Sequence, residues 1–139
     1  MADNSKMFQV QVISPDRIFY EGDVDMIEVR TSEGDMGIYK NHIPLTAILV
    51  PGILKLKKDS EQKEAALHDG FIEILGDRVI ILAESCEWPE EIDINRAEEA
   101  RIRAERRLKS AEAEINETRA EMALRRALIR KELAENYRR

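Results

Sequence analysis

A single cysteine, Cys86, excludes an internal disulfide framework; it reads as a small residue at the end of a strand, in keeping with a reducing compartment. Histidine is almost as scarce. His42 and His68 are 26 positions apart, neither has another His or Cys at metal-ligand spacing, and both read as surface or turn residues, so no metal centre is expected. No Gly-x4-Gly-Lys phosphate loop occurs, and no Ser-His-Asp or Cys-His set can be assembled without inventing the fold around it. There is no run of 18 apolar residues to span a membrane, and Met1–Lys6 lacks the apolar region of a signal peptide. The expectation is an intracellular, soluble chain without catalytic machinery. A further absence divides the sequence: after Pro89 there is neither glycine nor proline.

What is present differs on the two sides of that divide. The formal charge of −6 over 139 residues conceals −9 in residues 1–92 and +3 in residues 93–139. An acidic first half argues against a nucleic-acid footprint. The second half alternates its charges in sign, as a solvated helix face does.

Residues 6–87 alternate in short apolar runs. Phe8, Val10 and Val12 interleave with Gln9 and Gln11 as in a half-buried strand, and Arg78–Ala83 is the most apolar stretch. Ser14-Pro15-Asp16, Glu21-Gly22-Asp23, Ser32-Glu33-Gly34-Asp35, Pro51-Gly52, Asp59–Gln62, Asp69-Gly70 and Gly76-Asp77 read as turns. Nine or ten short strands at this spacing predict an antiparallel sandwich or barrel.

Residues 88–92 form a joint. Pro89 pushes Trp88 toward an extended conformation, and Asp93 is an N-cap with Glu98 and Glu99 soon after it. From 93 to 139 the chain is helical. Ala97, Ala100, Ala104, Leu108, Ala111 and Ile115 form one stripe, and Ala120, Ala123, Leu124, Ala127, Leu128 and Ala134 a second. Alanine buries little, so a pair of helices built on these stripes is weakly held. Asn116 is the one N-cap candidate between the stripes, and nothing nearby obliges a turn. A hairpin folded near 116 and a continuous rod of roughly 45 residues, about 65 Å long, both satisfy the pattern.

Arg96 and Arg103 border the first stripe; Arg126 and Arg130 border the second. A fold-back at 116 would bring Arg103 level with Arg130 and turn several guanidiniums toward one spot, suited to a polyphosphate. Surface ion pairs such as Arg126–Glu112 would give the same spacing.

Thr31-Ser32-Glu33-Gly34-Asp35-Met36-Gly37-Ile38-Tyr39-Lys40-Asn41-His42-Ile43-Pro44-Leu45, then Pro51-Gly52, Gly70-Phe71-Ile72-Glu73 and the joint Glu91–Ala97, strongly resemble the epsilon subunit of bacterial F-type ATP synthases. The resemblance spans nearly the whole chain. It implies an α+β protein: an N-terminal antiparallel ten-stranded β-sandwich followed by a C-terminal two-helix hairpin that can extend. It also implies a rotor-stalk subunit, non-catalytic by itself, at the cytoplasmic face of the bacterial membrane. Its implied partners are the gamma subunit, the ring of c subunits and the alpha/beta catalytic head, with neither nucleic acid nor direct membrane insertion. The c-ring contacts fall on Glu33 and His42. The helices would restrain ATP hydrolysis, and ATP, with or without magnesium, would be a regulatory ligand. Carried over residue by residue, its site falls on Glu87, Ile92, Asp93, Arg96, Ala97, Arg103, Arg126 and Arg130.

Two other classes stay open: a stand-alone ATP-sensing module, and an all-β enzyme using His42 with Asp35 or Glu33. The second has no base–nucleophile pair to support it.

Overall fold

The computed structural model describes residues 6–110 and 114–137, with side chains from 117 onward in the second span. It divides into two compact units, one ending at Cys86 and one beginning at Glu87.

The first unit holds eight strands: β1 (Phe8–Ser14), β2 (Arg17–Val24), β3 (Met26–Thr31), β4 (Gly34–Ile38), β5 (Leu45–Leu49), β6 (Gly52–Lys58), β7 (Glu61–Ile74) and β8 (Arg78–Glu87). Hydrogen bonding follows the order β2-β1-β8-β7-β5-β3-β4, and β6 bridges β3 and β7. The period of two decides the core. Val10 and Val12 point inward while Gln9 and Gln11 do not, and with Val24, Ile27, Ile38, Leu54, Ile72 and Ile81 they are almost wholly removed from water. Each such side chain contributes about 1.5–3 kcal/mol relative to exposure.

The sandwich corrects the expectation of ten antiparallel strands in two ways. It has eight strands among the described residues, because two apparent turns lie inside strands. Asp69-Gly70 is a corner within β7: Asp69 has φ 56° and Gly70 φ 148°. Before the corner β7 pairs with β6 (Gly52↔Leu67), and from Gly70 on it pairs with β5 (Leu49↔Gly70). One long strand thus serves two neighbours. Likewise β2 runs through Glu21-Gly22-Asp23 while paired with β1. The sandwich is also mixed rather than antiparallel. β1 and β8 run parallel, from Gln9↔Arg78 to Ile13↔Leu82, a pairing of distant segments that no local turn announces.

His68 is a further correction. It is a core residue of β7, 2% exposed, because the strand continues past it where a hairpin end was expected.

The second unit begins with a single 3₁₀ turn, Pro89–Glu91, and continues as α1 (Ile94–Lys109) and α2 (Glu114–Tyr137). Pro89 starts the turn without needing a donor, Trp88 N–H donates to Glu91 Oε1 at 2.8 Å, and Ile92 N–H closes on Pro89 O at 3.2 Å. Ala97 and Ala104 of α1 and Ala120, Ala127 and Ala134 of α2 are buried, and α1 packs on α2. Asn116 is not an N-cap: α2 has already begun at Glu114, so the chain reverses earlier than 116. Ala111 and Glu112, and with them the Arg126–Glu112 pairing, lie outside the described residues, as does the side chain of Ile115.

Candidate functional site

Asp93 sets the start of α1. Its backbone is extended (φ −90°, ψ 107°) and its Oδ1 accepts from Arg96 N–H at 3.2 Å, satisfying a donor that the helix leaves unbonded. Ile92 is buried before it and Ala97 one turn after it, while Arg96 and Arg103 project from α1 into solvent.

The second helix returns to this start. Arg130 Nε donates to Glu87 Oε1 at 2.6 Å, across 43 positions of sequence, with both side chains partly shielded. Its neighbour Lys131 reaches Glu98 of α1, Nζ to Oε2 at 3.0 Å. Glu98 also receives Arg101, whose Nε lies 3.1 Å from Oε2 and whose Nη2 pairs with Oε1; Arg101 Nη1 donates to Glu105 at 2.7 Å. Hydrogen bonds from Arg101 and then Lys131 hold the Glu98 carboxyl well below its ordinary value, at about 2, and Glu98 and Glu105 raise Arg101 in turn.

α1 ends at Lys109 and α2 begins at Glu114, so Arg103 lies six residues before the first bound and Arg130 sixteen after the second, which corrects the expectation that the two are level. Arg130 lies beside the joint instead. Of the eight residues expected at the site, Glu87 and Arg130 are brought into contact, and Asp93, Arg96 and Ala97 lie in the adjoining first turn. Arg103 and Arg126 lie farther along the hairpin.

Sequence reasoning missed three contributors. Arg107 and Arg119 line an open groove of about 650 Å³ with Thr118, Met122, Ala123 and Arg126. Lys131 was passed over because its partner, Glu98, is identifiable only once the hairpin register is known.

In the sandwich, Glu33 is exposed in the two-residue turn between β3 and β4, and His42 lies in the loop after β4, its Nδ1 2.7 Å from Ile43 O. They flank opposite ends of β4 and are not brought together by it. His42 lines an open cavity of about 470 Å³ with Tyr39, Lys40, Asp23 and Arg78 among others. Tyr39 and Ile43 are large apolar side chains left 64% and 79% exposed. Among the described residues no set of three His, Cys, Asp or Glu side chains is arranged to hold a metal, and no helix is long and apolar enough to cross a membrane.

Comparison with known proteins agrees with this division. A family model described as ATP synthase, Delta/Epsilon chain, beta-sandwich domain matches residues 7–89, and one described as the long alpha-helix domain of the same chain matches residues 90–135. The chain is 48% identical over 133 residues to an ATP synthase epsilon chain of Caldanaerobacter subterraneus subsp. tengcongensis, covering 95% of this chain and 96% of that one. It is 49% identical over 126 residues to the epsilon chain of Halalkalibacterium halodurans, covering 90% and 95%. Among solved structures, a chain of the Euglena gracilis mitochondrial ATP synthase, in an assembly of OSCP, F1 and c-ring, shares the fold with a TM-score of 0.79 at 24% identity, covering 96% of this chain and 82% of its own.

Proposed function

The chain belongs to the family of ATP synthase epsilon chains, non-catalytic subunits of the F-type enzyme's central stalk, and on that footing we propose that it is a regulatory rotor subunit. Its sandwich docks on the gamma subunit and the c-ring at the cytoplasmic face of the bacterial membrane, with Glu33 and His42 at the ring. There it takes part in coupling proton transport to ATP synthesis. Its two helices restrain ATP hydrolysis in the alpha/beta head when extended and bind ATP when folded. The apolar Tyr39, Ile43, Ile48 and Phe71, all exposed, support a docking role for the sandwich.

The observation that carries the ATP reading is the return of α2 to the joint. Arg130 stands at Glu87, beside the turn that Asp93 caps and from which Arg96 projects. Guanidiniums from both helices then border this start of α1, with Arg103 and Arg126 farther along their helices. Planar, permanently charged guanidiniums suit phosphate oxygens, and Asp93 is engaged in fixing the backbone under them. Nothing in this arrangement activates a water, so the role is binding and not hydrolysis.

Isothermal titration of the intact chain with MgATP tests it. Saturable binding that is lost in the Arg103→Ala/Arg126→Ala chain is expected. Absence of heat at millimolar ATP, or equal binding by the double variant, would refute the nucleotide-holding hairpin.

A further inference from the structure

We infer that the adjacent residues Arg130 and Lys131 are an ionic clasp, one gripping Glu87 ahead of α1 and the other gripping Glu98 within it, which makes closure of the helical hairpin depend on ionic strength. Both contacts bridge distant positions, at 2.6 Å and 3.0 Å, and both come from one turn of α2. Their partners lie on either side of the start of α1 at Ile94, so together they bracket its first turn. The buried residues of α1 are alanines, Ala97 and Ala104, whose methyls contribute about 0.8 kcal/mol each at most, while α2 buries Ile129 and Leu133 besides Ala120, Ala127 and Ala134. With so little apolar side chain buried on α1, one ion pair between the helices and a second from α2 to the end of β8 supply a substantial share of the attraction. The four side chains retain between 23% and 34% of their exposure, so mobile ions reach them and screen them. Glu98 cannot simply turn away, because Arg101 holds it from within α1 and Glu105 holds Arg101. The clasp needs no nucleotide, and its Glu98–Lys131 half lies outside the candidate ATP site, so it stands or falls independently of that site.

The test uses the full chain carrying Cys86→Ala, with spin labels at Asn95→Cys and Glu135→Cys, both exposed and both in the helical unit. Distances between the labels are measured without nucleotide. Raising salt from about 0.1 M to about 1 M shortens the screening length from about 10 Å to about 3 Å and is expected to raise the open fraction about fivefold to tenfold. Lys131→Gln and Glu98→Gln each raise it at low salt and flatten the salt response. The doubly substituted chain opens less than the two single effects multiplied together, the mark of direct coupling. Lys131→Arg retains closure and the salt response. An open fraction indifferent to salt, or single effects that multiply, would overturn the clasp.

Discussion

Replacing Ala127 by leucine puts the alanine seam to its strictest trial. Ala127 is wholly buried on the face of α2 that meets α1, as are Ala120 and Ala134, opposite Ala97 and Ala104. The five alanine methyls contribute at most about 4 kcal/mol, and α2 buries Ile129 and Leu133 besides. A leucine there adds three carbons where helix axes approach on methyl groups, and overpacking of this kind costs about 1–3 kcal/mol. That penalty shifts the closed-to-open ratio by roughly 5- to 150-fold. Amide hydrogen exchange reads this directly. Protection in α1 and α2 should fall by that factor, while β1, β7 and β8 keep theirs. Leu128→Ala, at an exposed neighbouring position, should change protection little. Unaltered exchange in both helices of the Ala127→Leu chain would refute the idea that the seam admits nothing larger than a methyl.

Glu98 predicts a pH dependence. Its carboxyl is lowered from 4.5 to about 2 in the folded hairpin, so the stability it contributes is fully present above about pH 4.5 and is lost as the pH falls toward 2. Helix-pair stability followed by exchange should decline across that window, and Glu98→Gln should remove this part of the decline. Gly70→Ala should destabilise the sandwich by more than about 2 kcal/mol in urea unfolding. A Cβ there would sit 2.0 Å from the Leu82 carbonyl oxygen at φ 148°; a loss below about 0.5 kcal/mol would contradict that geometry.

Strand alternation and helix stripes are local, and they carry most of the fold: Val10 and Val12 face inward as their spacing requires, and Asp93 caps the helix that its position announces. What is misread locally is decided at long range. Asp69-Gly70 has the composition of a turn, yet its backbone bends a strand that two different neighbours keep extended. His68 looked polar enough for the surface, but its strand runs through the core. The same holds for the candidate site. The residue types of Arg103, Arg126 and Arg130 were evident, whereas their partners depended on where the chain reverses. α2 starts at Glu114, ahead of the expected fold-back at 116, and Arg130 meets Glu87 rather than standing level with Arg103.

The parallel pairing of β1 with β8 bears on how the sandwich is made. Gln9 meets Arg78, 69 positions later, so the first strand keeps one edge bare until nearly the whole domain has left the ribosome. Most pairings before it join nearby strands and can form early, but this one encloses almost the entire unit and carries a large loop-closure cost. Completion of the sandwich therefore waits for β8, the strand that leads directly into the joint. Only with that strand in place is the sandwich whole, and the helices of the second unit are the next residues to be synthesised.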